Sequence, residues 1–346
     1  MTEVSSATKK KAELIARSTI YIPKDLKLSV PFDRSTAGPG SSSLSIALTF
    51  DNKVVKLAVN RDQNEWFSLD KQNDKFIIRK KGDIFIENVE ILPVVYHAPG
   101  QAFINIENRC IYNCAFCNLT KTKKEFLQNY DERKFVYFIL KALNRNDCTA
   151  VALTSGIYPD NSTIIKKMCS IIEKIRKKAP TVPIGVEPCI LSKKEIMPLK
   201  NAGADEIKIN VQIPDKTIFK KICPDFDYDD IFAMLDEAVN IFGKGKVATN
   251  LIYGLGESDE IILETIEQLA SLGIIPTLRK IRLNDDNKKK IQSVLPYELP
   301  NISPERILTL AKGQKKILRN HELNTQTFST MCHKCGCCDI VPFWDV

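Results

Sequence analysis

From about residue 100 to about residue 310 the chain alternates six times between a short apolar run and an amphipathic helical segment. That alternation restricts it to an α/β architecture with a parallel sheet. The strand-like runs are Ala102–Ile106, Ala150–Thr154, Val182–Glu187, Glu206–Val211, Val247–Tyr253 and Thr277–Leu283, the last preceded by Pro276. Helical periodicity fills the intervals at about 130–145, 161–178, 192–202, 227–242 and 258–272. Parallel neighbours need right-handed crossovers, so the expected form is a partial (βα)6 TIM-type barrel or its open equivalent. In either, the reacting groups belong at the C-terminal ends of the strands.

The flanks differ in texture. Residues 1–98 read as a helix plus a β-rich accessory region, 99–310 as the barrel, and 311–346 as a C-terminal helix and cysteine-rich tail. Asp51-Asn52-Lys53, between Leu44–Phe50 and Val54–Val59, suits a hairpin turn. The Gly/Pro/Ser stretch Arg34–Ser43 lacks the Lys-Ser/Thr of a phosphate loop and reads as a connector. A last amphipathic helix is expected over 304–321.

Composition excludes some classes. The net charge of +8 comes from 50 basic and 42 acidic residues, with lysines in scattered runs such as Lys9–Lys11 and Lys288–Lys290. That is a solvated surface, without the clustered cations and interleaved aromatics of a nucleic-acid face. No apolar run approaches the roughly 18–20 residues of a membrane span, and Met1–Arg17 is too charged for a signal peptide. A cytoplasmic location is expected. Eleven cysteines there do not make a disulfide framework. Three fall at 110–117 and four at 332–338, while Cys148, Cys169, Cys189 and Cys223 stand alone and read as small buried apolar residues.

Cys110, Cys114 and Cys117 form a CxxxCxxC loop just after the first strand. Three thiolates do not close a structural zinc tetrahedron, but they hold a [4Fe–4S] cubane with one iron left open. Spacing, strand context and the aromatic Phe116 before the last cysteine together resemble the radical S-adenosylmethionine (SAM) superfamily. The resemblance covers roughly 100–310. It implies that the three cysteines hold a SAM-binding [4Fe–4S] cluster and that SAM is cleaved reductively to a 5′-deoxyadenosyl radical. It also implies cofactor contacts. Ser155 and Gly156 stand where the family carries a Gly-Gly-Glu-type segment, which this chain lacks. Glu187 ends the third strand, near the expected ribose. Tyr253 and Gly254 open a Gly-x-Gly-Glu-like turn near the expected adenosine. Arg282 and Lys280 share one face of the sixth strand, either as internal cations for a carboxylate or cluster or as solvated surface. Side-chain alternation sets Arg279 on the face opposite Lys280.

Cys332, Cys335, Cys337 and Cys338 point to a second metal. Zinc is one occupant and an auxiliary Fe–S cluster another; the adjacent Cys337 and Cys338 strain a single site of either kind. A barrel of this type with a second cysteine set resembles the biotin synthase and lipoyl synthase branch, and the tail resembles archaeal two-component lipoyl synthases. That resemblance implies sulfur insertion into an unactivated C–H bond, with the tail folded over the strand C-termini. The implied partners are a ferredoxin-like electron donor and a lipoyl-carrier protein or second synthase subunit. Radical rearrangement or ring formation in cofactor biosynthesis, with the tail cluster for electron transfer or anchoring, is the alternative chemistry. A non-catalytic metal scaffold is the alternative class.

Overall fold

The computed structural model describes residues 4–346 except 29, 31, 35–43, 96 and 120–130, so most of the connector after Arg34 lies outside the described residues. Helix α1 (Ser6–Arg17) starts on Ser5, whose hydroxyl accepts the Thr8 N–H. Seven strands follow: β1 (Thr19–Tyr21), β2 (Asp33–Arg34), β3 (Leu44–Phe50), β4 (Lys53–Asn60), β5 (Phe67–Gln72), β6 (Lys75–Lys80) and β7 (Asp83–Leu92). Their order is β2-β3-β4-β1-β5-β6-β7, and β7 pairs again with β3. All but β2 therefore close into a small barrel, which removes their free edges. The expected hairpin is β3–β4: Asp51 and Asn52 take φ of 45° and 59°, the two left-handed positions of a type I′ turn. A short pair, β8 (Val94–Val95) and β9 (Ala98–Pro99), leads into the second module.

That module runs β10 (Ala102–Asn105), α2 (Glu132–Leu143), β11 (Val151–Thr154), α3 (Asn161–Arg176), β12 (Ile184–Glu187), α4 (Ile196–Ala202), β13 (Glu206–Lys208), α5 (Lys216–Ile222) and α6 (Tyr228–Phe242). It continues with β14 (Val247–Tyr253), α7 (Asp259–Ser271), β15 (Ile275–Lys280), α8 (Asp285–Val294), α9 (Pro304–Asn320) and α10 (Met331–Cys335). Strands β10 to β15 pair in sequence order, all parallel, as a six-stranded partial barrel. β10, β11 and β13 are buried at every position because helices cover the outer face and a filled interior the other. Asp131, Asp160, Asp227 and Ser258 cap the helices that follow strands or loops.

Three local expectations shift. Pro276 lies inside β15, which is tolerated because β15 is the sheet's edge strand, and its carbonyl accepts from Gln314 at 2.5 Å. Helices α5 and α8 interrupt stretches too polar and short to show periodicity. Residue 310, the expected boundary of barrel and tail, falls within α9, which runs unbroken from its Ser303 cap to Asn320.

The tail does not fold over the strand C-termini. It seals the opposite end of the barrel. Glu206, at the start of β13, accepts the N–H groups of Ser329 (2.8 Å) and Thr330 (3.0 Å) and the Thr330 hydroxyl (2.5 Å). Gln101, just before β10, exchanges two 2.8 Å hydrogen bonds with the Met331 backbone. His333 meets the Ile275 carbonyl at the start of β15. Gly185 on β12 makes this plug possible: a Cβ there would stand 2.0 Å from the Thr330 hydroxyl oxygen. The N-terminal module then clamps the tail. Lys56 of β4 donates its N–H to the Cys337 carbonyl (2.9 Å), and the buried Lys11 ammonium reaches the Gly336 carbonyl (2.8 Å) and Asp345 (2.6 Å). Among the described residues, no helix is long and apolar enough to cross a membrane.

Candidate active site in the barrel

The barrel interior holds a cavity of about 300 Å³. At its mouth lies the loop after β10. Ile111 N–H donates to Ile157 O (2.9 Å), Asn113 N–H to Asp225 (2.7 Å), and Ala115 N–H to Ile222 O (2.8 Å). From the other side, Asn287 and Lys290 of α8 donate to the carbonyls of Phe116 and Cys117. Cys110, Cys114, Cys117 and Phe116 all line the cavity, as do Ser155, Gly156, Glu187 and Arg282. Gly156 packs against the loop so closely that a Cβ would stand 2.2 Å from the Arg109 carbonyl oxygen. Gly156→Ala is expected to displace the loop at a cost of about 2–3 kcal/mol, measured by urea unfolding.

Tyr253 and Gly254 do not line the cavity. Their turn folds on itself: buried Glu257 accepts the N–H groups of Gly254 (2.5 Å) and Leu255 (2.9 Å), with Arg306 at 3.6 Å. Arg279, Lys280 and Arg282, in contrast, all do. Lys280 is the last residue of β15, so the pleat that would set it opposite Arg279 is not held there by a continuing strand. Cys189 and Cys223, read from sequence as packing residues, also line the cavity. Only tertiary placement reveals them, since neither belongs to a spaced motif.

Deeper, Glu206 and Lys208 share one face of β13, and Asn210 follows two residues past its end. Lys208 is 1% exposed, with its ammonium 3.0 Å from Cys332 Sγ and 3.4 Å from Glu187, which also accepts from Asn210 (2.7 Å). Burial pulls the Lys208 pKa down, but Cys332 and Glu187 outweigh it and leave it above the ordinary lysine value. Cys338 lines the cavity beside Cys332; Cys335 and Cys337 do not. The Cys337 thiol, held protonated by its hydrogen bond to Cys335 and by burial, keeps Cys335 below the ordinary thiol range.

At the mouth, burial pulls Lys280 down to about 8, reinforced by Arg282 and Arg17. An unfolded lysine keeps its proton to 10.5, so between pH 8 and 10.5 the unfolded chain binds more protons than the folded one. Wild-type stability is expected to rise through that window relative to Lys280→Met, by on the order of 1 kcal/mol after solvent screening. Urea unfolding at pH 7.5 and pH 10, values on the order of the window's two sides, checks it.

Among the described residues, no three Cys, His, Asp or Glu side chains converge as a finished metal nest. What fits a cluster is donor chemistry: three free thiols from one short loop, lining one cavity at the strand C-termini. Burial raises Cys110 and pushes Cys117 up to about 12, while a hydrogen bond with Cys223 and then burial raise Cys114. Ligation would therefore release protons and weaken in acid.

The radical SAM superfamily model matches residues 104–269. That stretch of the chain is similar to the radical SAM superfamily. The chain is 24% identical over 274 residues to lipoyl synthase of Buchnera aphidicola, covering 75% of this chain and 83% of that one. It is 24% identical over 166 residues to biotin synthase of Streptococcus agalactiae, covering 47% of this chain and 49% of that one, about half of each. Its fold is similar to the FeFe-hydrogenase maturase HydG of Carboxydothermus hydrogenoformans (TM-score 0.53, 15% identity, 63% of this chain and 51% of that one). The superfamily match implies a [4Fe–4S] cluster and SAM.

Proposed function

We propose that this enzyme inserts sulfur into an unactivated C–H bond, with the tail as a second, sulfur-supplying Fe–S site. One observation carries the reading: the cavity has the CxxxCxxC thiols at its mouth and the Cys332 and Cys338 thiols lining it from the tail. The likeness to proteins named lipoyl synthase and biotin synthase supports it. When bound, the cluster and SAM supply a 5′-deoxyadenosyl radical able to take a hydrogen atom from an unactivated carbon.

The chain's own residues do the positioning. Ser155, Gly156, Glu187 and Arg282 surround the mouth where SAM would sit, and Phe103, Phe116 and Ile190 give an apolar wall for an alkyl chain. Lys208 holds Cys332 toward the cavity. The tail plug and the N-terminal module exclude water from the lower end and flank, leaving the mouth as the route of entry. The substrate in this reading is an octanoyl chain on a lipoyl-carrier protein, with a ferredoxin-like donor or a second synthase subunit as further partners.

The test is anaerobic reconstitution followed by mass spectrometry of an octanoylated peptide with SAM and reductant. Sulfur-bearing product at about one turnover per cluster is expected, the stoichiometry of a consumed sulfur source. A product without added sulfur would overturn sulfur insertion in favour of rearrangement, and many turnovers would overturn the tail as the consumed sulfur source.

A further inference from the structure

We infer that the surface of α5 and α8 beside the CxxxCxxC loop is the docking face of a small acidic one-electron carrier protein. The inference rests on the reading of that loop as an Fe–S site, and adds where its reducing partner binds and by what chemistry.

The loop is held by two helices that pack against each other. The Ile222 carbonyl at the end of α5 accepts the Ala115 N–H (2.8 Å), and Asn287 of α8 donates to the Phe116 carbonyl (3.2 Å). Each helix buries one side: Ile218, Phe219 and Ile222 on α5, Asn287 and Ile291 on α8. The other side carries Lys220 and Lys221 on α5 and Lys288 and Lys289 on α8, all four exposed. None of these ammonium groups has an ion-pair or hydrogen-bond partner among the described residues.

The acids nearest in sequence are engaged locally. Asp225 accepts the Asn113 N–H (2.7 Å), Asp227 caps α6, and Asp285 and Asp286 lie in the first turn of α8, where the helix dipole offsets them. Two apolar side chains adjoin the lysines: Ile111, on the loop itself, is 53% exposed, and Leu283, two residues before α8, is 43% exposed. Unpaired cations around a small apolar centre suit a brief encounter. Charge steers an acidic partner in, and the small apolar area keeps the complex weak, as electron-transfer pairs require. An electron needs only closeness to the loop, whereas a protein presenting a substrate arm must face the cavity opening. The step moves one electron: a flavodoxin-type hydroquinone anion loses it and becomes the neutral semiquinone, the cluster gains it and passes from the 2+ to the 1+ state, and no proton moves.

The experiment uses the full chain and an acidic flavodoxin. One variant combines Lys220→Gln, Lys221→Gln, Lys288→Gln and Lys289→Gln; a second changes the same four positions to Glu. Anisotropy of dye-labelled, oxidised flavodoxin reads binding to the chain before and after anaerobic reconstitution. The Kd is expected to rise about tenfold in the Gln variant and further in the Glu variant. Wild-type binding should weaken between about 50 mM and about 500 mM salt, and binding by the variants should barely change. In the reconstituted protein, semiquinone formation from flavodoxin hydroquinone should slow in the variants by a similar factor, while dithionite reduces all three proteins equally fast. Flavodoxin binding that is unchanged in the Glu variant, or indifferent to salt, overturns the docking face. Equal slowing with dithionite overturns it too, since the lysines would then act on the loop itself. An octanoylated carrier domain whose binding falls in the variants while that of flavodoxin does not would assign the face to the substrate carrier instead. A reconstituted wild type without a dithionite-reducible cluster overturns the Fe–S reading beneath, whatever the binding result.

Discussion

Cys114→Ala is expected to abolish 5′-deoxyadenosine formation from SAM, a loss on the order of 10⁶-fold or more, because the acceleration depends on the cluster. Cys114 is the middle cysteine of the CxxxCxxC loop. The backbone on its C-terminal side is pinned at Ala115 to the Ile222 carbonyl, which holds the loop in place. Iron content should fall by about four per chain while the tail keeps its own. Chromatographic assay of 5′-deoxyadenosine after reductant addition reads the result. Turnover by the variant at even a tenth of the wild-type rate would remove Cys114 from the cluster.

Glu206→Ala is expected to destabilise the protein by about 3 kcal/mol and to release the tail, because it strips a buried acceptor from several donors at once. The carboxylate is 1% exposed and holds Ser329 and Thr330 against the barrel, with Lys246 at 3.3 Å. Glu206→Gln keeps one acceptor oxygen and should lose less. Urea midpoints measure the first effect, and iron retention by the tail after dialysis measures the second. A Glu206→Ala variant within about 0.5 kcal/mol of wild type, the scatter of ordinary surface changes, would mean that the tail is anchored elsewhere.

Much of the barrel was legible because its strands are buried on both faces and its helices on one, which writes apolar runs and 3.6-residue periodicity into the chain. The hairpin at Asp51-Asn52 was legible for the same local reason, since turn chemistry is set by adjacent residues. Closure of the N-terminal strands into a barrel was not: it depends on β7 meeting β3, some forty residues away. The role of the Gly254 turn was not legible, because a Gly-Leu-Gly-Glu stretch serves equally to touch a ligand or to let Glu257 bond its own backbone, as it does here.

By itself the sequence determined the CxxxCxxC loop, its place after a parallel strand, and a second cysteine set in the tail, all properties of residue type and short spacing. Only the tertiary structure decided where that tail goes. The strand-start residues Gln101, Gly185, Glu206 and Ile275 are far apart in sequence, and nothing local says that they form one rim. Once the parallel sheet curls, they converge as the barrel's lower opening. The tail fits that opening because its backbone at Ser329, Thr330 and Met331 finds partners in the Glu206 carboxylate and the Gln101 amide, which the plug then buries. Cys332 and Cys338 reach the cavity from there, by a route no spacing rule encodes.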